Sequence, residues 1–213
     1  MSPAAHRFWS RAATAYCHAL EARPLQTQML SSAALWSAGD LAAQRFERLS
    51  TTREGAAAGT DAASRTHLHH LDWQRTAVQT AYASCVWAPV AHYWYEMLDR
   101  MVQRVVSPRA GMRFVVAKLV AEMVALHPLS LLAFFGFVGL AQGETSAQVA
   151  HQIRRDFAPT LALEWLMWSP LDVANFAIVP VRHQLLIANC GCFVESIALS
   201  FVKANGFVLP GAH

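Results

Sequence analysis

The chain has 213 residues, 54% of them hydrophobic and only 15% charged, with a mean hydropathy of +0.25. A soluble domain carries about a quarter charged residues, so this composition excludes a conventional water-facing surface. The formal charge of +3 is small and the arginines are spread along the chain, which excludes a nucleic-acid-binding patch.

The length suits one domain, and the abundance of Ala, Leu and Met biases the chain toward helix. Residues 1–26 read as an N-terminal helix or tail. They hold His6, Arg7, Arg11 and His18 with no acid before Glu21, a mildly presequence-like pattern. No cleavable secretory signal is expected, because the first strong apolar stretch begins near Met29 without a small-residue cleavage site behind it. Thr27–Gln44 reads as a first span, just long enough for a thin hydrocarbon core. Residues 49–70, rich in Ser, Thr, Gly and Ala, read as a flexible linker. His67, His69 and His70 within it have no Cys or carboxylate at ligand spacing, which favours a solvated segment over a metal site.

Arg75–Asp99 reads as a second span, with a kink expected at Pro89 and an interfacial belt of Trp87, Tyr93, Trp94 and Tyr95 at its far end. A short basic connection with Arg100, Arg104, Arg109 and Arg113 leads to Phe114–Leu140, the most lipid-like stretch, which Pro128 is expected to divide in two. Gln142–Pro159 reads as an exposed amphipathic connection. Thr160–Pro180 is long enough to span but contains Glu164, Pro170, Asp172 and Asn175, whereas Leu185–Val202 is cleaner. The expected fold is all-α: an integral membrane helical bundle of about four transmembrane helices, with Thr160–Pro180 as an extra interfacial or re-entrant helix. Seven arginines fall on each side of this arrangement, so the positive-inside rule assigns no orientation. Cys17, Cys85, Cys190 and Cys192 lack the spacing of a disulfide framework or zinc site and read as reduced core residues, since positions two apart on a helix do not share a face.

A charge at the bilayer centre costs roughly 2.5–3.5 kcal/mol on insertion scales, so charges kept inside apolar helices must face a partner or water. The candidates are Asp40, Gln44, Arg75, His92, Lys118, Glu122, Asp172 and Asn175. Asp40 and Gln44 share one helix face, as do Lys118 and Glu122. These residues are either interhelical polar clamps or the lining of an aqueous path, in which carboxylates favour cations and Lys118 or Arg75 favours anions. His92, near Glu96 and Asp99, reads as a structural histidine or a proton-sensitive gate. The seven tryptophans read as interfacial anchors. There is no glycine-rich phosphate loop, nucleophile elbow or zinc-binding helix, so no catalytic, cofactor or metal site is expected.

Five separated signatures follow in order along Tyr16–Ser200. The first is Tyr16-x3-Leu20-x3-Pro24-Leu25-x-Thr27 followed by Gly39-Asp40-x3-Gln44; the second is Asp72-x2-Arg75 with Pro89-x2-His92-x-Trp94-Tyr95. The third is Lys118-x3-Glu122-x5-Pro128, the fourth Trp165-x2-Trp168-Ser169-x2-Asp172-x2-Asn175-Phe176-x2-Val179-Pro180, and the last Asn189 with Leu199-Ser200. Together they resemble the family named after Mpv-seventeen and the twenty-two-kilodalton peroxisomal membrane protein. The chain departs from the family pattern at Ala88, Glu122-Met123, Ser169, Asp172, Gln184 and Glu195, which makes it a divergent member.

The resemblance implies a small multi-span protein of the mitochondrial inner membrane, or alternatively the peroxisomal membrane, with channel-like permeability or a role in metabolite homeostasis. The acid-free, Arg-bearing start favours the mitochondrion. The alternative function is a non-transporting accessory subunit packed against a larger, respiratory-type inner-membrane complex. Expected partners are the lipid bilayer and either further copies of the chain or such a complex, with no nucleic acid. From Ala77–Val90 and Phe114–Leu140, the protein is expected to stay in the membrane pellet after an alkaline carbonate wash; its appearance in the supernatant defeats the integral-membrane reading.

Overall fold

The computed structural model describes residues 3–57, 71–106 and 111–205, and among these the regular structure is all helical. The elements in order are α1 (Pro3–Ala22), α2 (Pro24–Ala57), α3 (Trp73–Tyr82), α4 (Ala88–Val105), α5 (Met112–Ala121), α6 (His127–Ala141), α7 (Ser146–Ile178) and α8 (Val181–Asn205). Pro24 ends α1 because its ring nitrogen has no hydrogen for the helix ladder, and it begins α2 at a first-turn position where none is needed. The first expected span lies within α2, but the helix runs on to Ala57, so residues 49–57 are helical where a flexible linker was expected. The rest of that linker, with His67, His69 and His70, lies outside the described residues, as does Arg109 of the basic connection.

Both prolines of the middle spans act through π-turns. Ala83–Trp87 joins α3 to α4 just ahead of Pro89, and Glu122–Leu126 joins α5 to α6 just ahead of Pro128. In each turn one backbone bond spans five residues, from Ala88 N–H to the Ala83 carbonyl and from His127 N–H to the Glu122 carbonyl. Widening the ladder in this way moves the carbonyl that a proline ring would otherwise strike. The helix therefore continues: Met112–Ala141 is one 30-residue rod, not the two pieces expected from Pro128.

The rod stops at Gly143, whose φ of +87° is open to glycine and strained for other residues. Glu144 N–H reaches back to the Gly139 carbonyl and Gly143 N–H to that of Leu140, the paired bonds of a Schellman stop. Thr145 and Gln148 then form a capping box that starts α7. This helix runs unbroken through Pro159 and Pro170 to Ile178, so the segment expected as a connection is helical from Ser146, and Thr160–Pro180 is mostly its second half.

The bundle has inverted polarity. Of the ten largest fully buried side chains among the described residues, only Leu126 and Leu185 are apolar; the others are Lys118, Gln184, Glu122, Asn175, Asn189, Asp40, Asp172 and Ser32. Outside, Val105, Ile178, Leu166, Leu30 and Val124 stand exposed. Val116, Val120 and Val124, four apart, form an exposed apolar stripe on the rod. Such a distribution suits hydrocarbon outside and polar partners within. Among the described residues one helix, Met112–Ala141, is long and apolar enough by itself to cross a membrane, with a mean hydropathy of 1.9. The other expected spans fall short of that measure.

An apolar cluster of Ala88, Ala91, Tyr95, Leu98, Phe114 and Phe176, with neighbours on α8, fills one part of the bundle. The broadest helix contact is α2 on α8. Gly39 lies in that contact, where a Cβ would stand 3.3 Å from Phe193 Cα and 3.4 Å from Ser196 Oγ. Gly39→Leu is therefore expected to lower unfolding stability by about 1–3 kcal/mol through overpacking. Gly136→Ala, at a helical position with nothing within 4 Å of the added carbon, is expected to raise it by about 0.5–1 kcal/mol. Tryptophan-monitored unfolding in detergent measures both.

Candidate functional site

Behind the polar interior is a cavity of about 570 Å³ between α2, α3, α6, α7 and α8. Its walls carry seven carboxylates, Asp40, Glu47, Glu122, Asp156, Glu164, Asp172 and Glu195, against one arginine, Arg75, and one histidine, His127. Aromatic side chains from Trp36, Tyr82, Trp87, Tyr95 and Trp168 complete much of the rest. The helix α7 supplies its stripe at four-residue spacing, Asp156, Thr160, Glu164, Trp168 and Asp172, which is the spacing that keeps side chains on neighbouring turns of one face.

The expected site residues divide between this cavity and three clamps. Asp40, Arg75, Glu122 and Asp172 line the cavity; Gln44, His92, Lys118 and Asn175 do not. At the first clamp, Arg75 Nε lies 2.8 Å from Asp40 Oδ1, and Asp40 Oδ2 accepts from Thr76 Oγ1 at 2.5 Å and from Gln44 Nε2 at 2.8 Å. Gln44 also accepts from the Asp72 N–H at 2.8 Å, and Asp72 caps α3 by accepting from the Arg75 N–H at 2.9 Å. The signatures of the first and second segments thus meet to pin α2 to the start of α3. Arg75 NH1 is also 3.2 Å from Glu47, so its charge is answered by two carboxylates and does not give the cavity an anion-attracting wall.

Lys118 belongs to the second clamp and points away from the cavity. Its ammonium donates to Asp99 at 3.2 Å and to Gln184 Oε1 at 3.3 Å, and lies 4.8 Å from the centre of the Phe176 ring. Asn175 donates to the Gln184 carbonyl at 3.1 Å, and Gln184 donates to the Val179 carbonyl at 3.1 Å, which secures the turn between α7 and α8. The Lys118–Glu122 face therefore does not close on itself: the lysine answers Asp99, and the glutamate faces the cavity. In the third clamp, His92 Nδ1 donates to Gln28 Oε1 at 2.7 Å, and Gln28 donates to the Arg182 carbonyl at 3.3 Å.

Of the tryptophans expected at the interface, Trp73 is exposed, while Trp36, Trp87 and Trp165 donate hydrogen bonds within the bundle. Trp36 and Trp87 both donate to Asn189 Oδ1, at 3.1 and 3.3 Å, while Asn189 donates to Ser32 Oγ at 2.7 Å. Trp165 donates to the Met123 carbonyl at 3.0 Å. That carbonyl sits five residues before Pro128, which has no N–H to offer it in the π-turn, so the indole satisfies a group the proline left open.

The carboxylates at the cavity's centre are less completely answered. Glu122 Oε2 and Asp172 Oδ2 are buried without a hydrogen-bond partner, and His127 Nε2 stands 3.6 Å from Asp172 Oδ2. The Tyr95 hydroxyl lies beside Glu122, and the Trp168 indole beside Glu195. Glu195 is in turn within electrostatic reach of Glu164. Sequence reasoning did not place Glu164, Glu195 or His127 in the site. The signal was present for α7, where Glu164, Trp168 and Asp172 repeat every four residues, but no such pattern marks Glu195 or His127.

The Mpv17 / PMP22 family profile matches residues 139–200 of this chain. Protein SYM1 of Saccharomyces cerevisiae is 25% identical over 190 residues, covering 89% of this chain and 89% of the yeast protein. The mitochondrial inner membrane protein Mpv17 of Xenopus laevis is 26% identical, covering 90% of this chain and 96% of its own length, and that of Mus musculus is 24% identical, covering 91% and 97%. No solved structure matches.

The geometry of the first clamp sets an expectation for Asp40→Asn. Removing one partner of a buried ion pair typically costs about 3–5 kcal/mol, and with Arg75 about a third exposed the loss is expected at about 2–3 kcal/mol. A double-mutant cycle with Arg75→Gln, read by unfolding in detergent, is expected to show coupling above about 1 kcal/mol; strict additivity removes the clamp assignment.

Proposed function

We propose that this chain, which the Mpv17 / PMP22 family profile matches over residues 139–200, acts as a channel-like permeability protein of the mitochondrial inner membrane, with the acidic cavity as the wide part of a path for small cations. The observation that carries this reading is the cavity's lining: seven acidic side chains against Arg75 and His127, inside a bundle that exposes large apolar side chains such as Leu30, Val124, Leu166 and Ile178. Arg75 answers Asp40 and Glu47, and Lys118 answers Asp99, so the acidic groups left to meet a passing cation are Glu122, Asp172, Glu164 and Glu195. Where these groups are ionised, a low-dielectric surround strengthens their attraction for cations and their repulsion of anions.

In this reading about four helical rods cross the bilayer: α2, α3 with α4, α5 with α6, and α8. The helix α7 lies among them as the extra element and contributes its carboxylate stripe. The buried polar residues of these rods, among them Gln28, Asp40, Gln44, Lys118, Gln184 and Asn189, have partners inside the bundle, which lowers the cost of their crossing. In mild detergent the channel form is expected as a small homo-oligomer.

The test is conductance in planar bilayers under a salt gradient. Glu122→Gln and Glu164→Gln remove cavity charge without breaking any of the three clamps. They are expected to assemble normally and move the reversal potential toward anion permeation. Asp40 is unsuited to this test because it holds α2 to α3. Absence of any current from the unaltered chain, together with its migration in a large assembly in mild detergent, transfers the assignment to a structural accessory subunit.

A further inference from the structure

We propose that the cavity is a binding site for a linear aliphatic polyamine, whose ammonium groups divide between the Glu122–Asp172 end and the Glu164–Glu195 side. The proposal deepens the cation-path reading by naming the class of cation the path holds. It starts from two cavity-lining residues, Glu122 and Asp172, each only 2% exposed, whose Oε2 and Oδ2 have no hydrogen-bond donor; His127 Nε2 stands 3.6 Å from the second of these oxygens. A carboxylate oxygen in that position accepts strongly from an ammonium N–H.

The other cavity carboxylates are already answered, Asp40 and Glu47 by Arg75 and Asp156 by Arg155. Among the described residues no lysine or arginine pairs with Glu122, Asp172, Glu164 or Glu195. His127, 3.6 Å from Asp172 Oδ2, is the one basic side chain beside these four on the cavity wall, so a bound polycation adds the counter-charge that a single imidazole does not.

The chemistry of the walls selects the kind of cation. No group of three metal-ligating side chains converges among the described residues, so a compact metal ion finds no coordination shell. The carboxylates are instead strung out: Glu164 and Asp172 are eight residues apart on one helix, a rise of about 12 Å. Charges separated by methylene chains match that spacing, whereas a single point charge does not. Between the carboxylates the walls are Tyr82, Tyr95, Trp87 and Trp168, whose faces attract ammonium groups and pack against methylenes. A volume of about 570 Å³ is in the range of small-molecule sites and admits an extended triamine.

The test uses the full-length chain in a neutral detergent, titrated calorimetrically with spermidine at constant ionic strength. One saturable site is expected. Affinity is expected to fall at least tenfold in Glu122→Gln and again at least tenfold in Glu164→Gln, while Glu21→Gln, on the surface beside Arg182, binds as the unaltered chain does. Glu164 takes part in no clamp, so its variant keeps the test decisive if Glu122→Gln fails to fold. Displacement of spermidine by magnesium at equal charge concentration, or unchanged affinity in Glu164→Gln, overturns the proposal. Binding in detergent is independent of current in bilayers. A chain that conducts but does not bind spermidine defeats this proposal alone, and one that binds but does not conduct defeats the permeability reading alone.

Discussion

The organisation of this protein depends on one constraint: charged and amide side chains carried on otherwise apolar helices have to find partners inside the bundle. Each clamp is a local solution. Asp40 collects Arg75, Thr76 and Gln44 and so joins α2 to α3; Lys118 takes Asp99 and Gln184 and so joins α5 to α4 and α8. Asn189 draws in two indoles and Ser32, tying α8 to α2 and to the first π-turn. Apolar packing is non-directional, and in hydrocarbon it distinguishes one helix face from another only weakly; these hydrogen-bonded nodes supply the register that packing alone would leave loose.

The prolines work under the same constraint. A proline within a helix leaves a carbonyl without a donor, and in an apolar surround that carbonyl needs another one. At Pro128 the ladder widens into a π-turn and Trp165, from a different helix, donates to the Met123 carbonyl. A backbone defect thereby becomes a tertiary contact between the rod and α7. The same turn sets the rotation of the residues around it, and Glu122 and His127 at its two ends both face the cavity.

The cavity is the place where the constraint is incompletely met. Two positions at which the chain departs from the family pattern, Asp172 and Glu195, both line it, and the Glu122 position does so as well. The other departures, Ala88, Met123, Ser169 and Gln184, do not line it. An interior that holds several carboxylates, two of them with unanswered oxygens, gains most from a positively charged occupant, and this connects the fold's polarity to its proposed activity.

Much of this was legible in the residues. The helical, membrane-adapted class followed from composition, the family from separated signatures, and the candidate polar residues from the energetic penalty of keeping a charge in an apolar helix. Asp40 with Gln44 was visible as a pair, because spacing along a helix reports which side chains share a face, and Asp72 with Arg75 as a pair within the second signature. The sequence did not disclose that the two pairs close on each other, that Lys118 answers Asp99 and not Glu122, or that Trp36 and Trp87 bond inside the bundle and do not anchor its rim. Those outcomes depend on how helices far apart in the chain are rotated and brought together, and the one-dimensional pattern carries no term for that. Glu195 and His127 entered the site for the same reason: no repeat along their own helices marks them, and only the docking of α6, α7 and α8 makes them neighbours of Glu164 and Asp172.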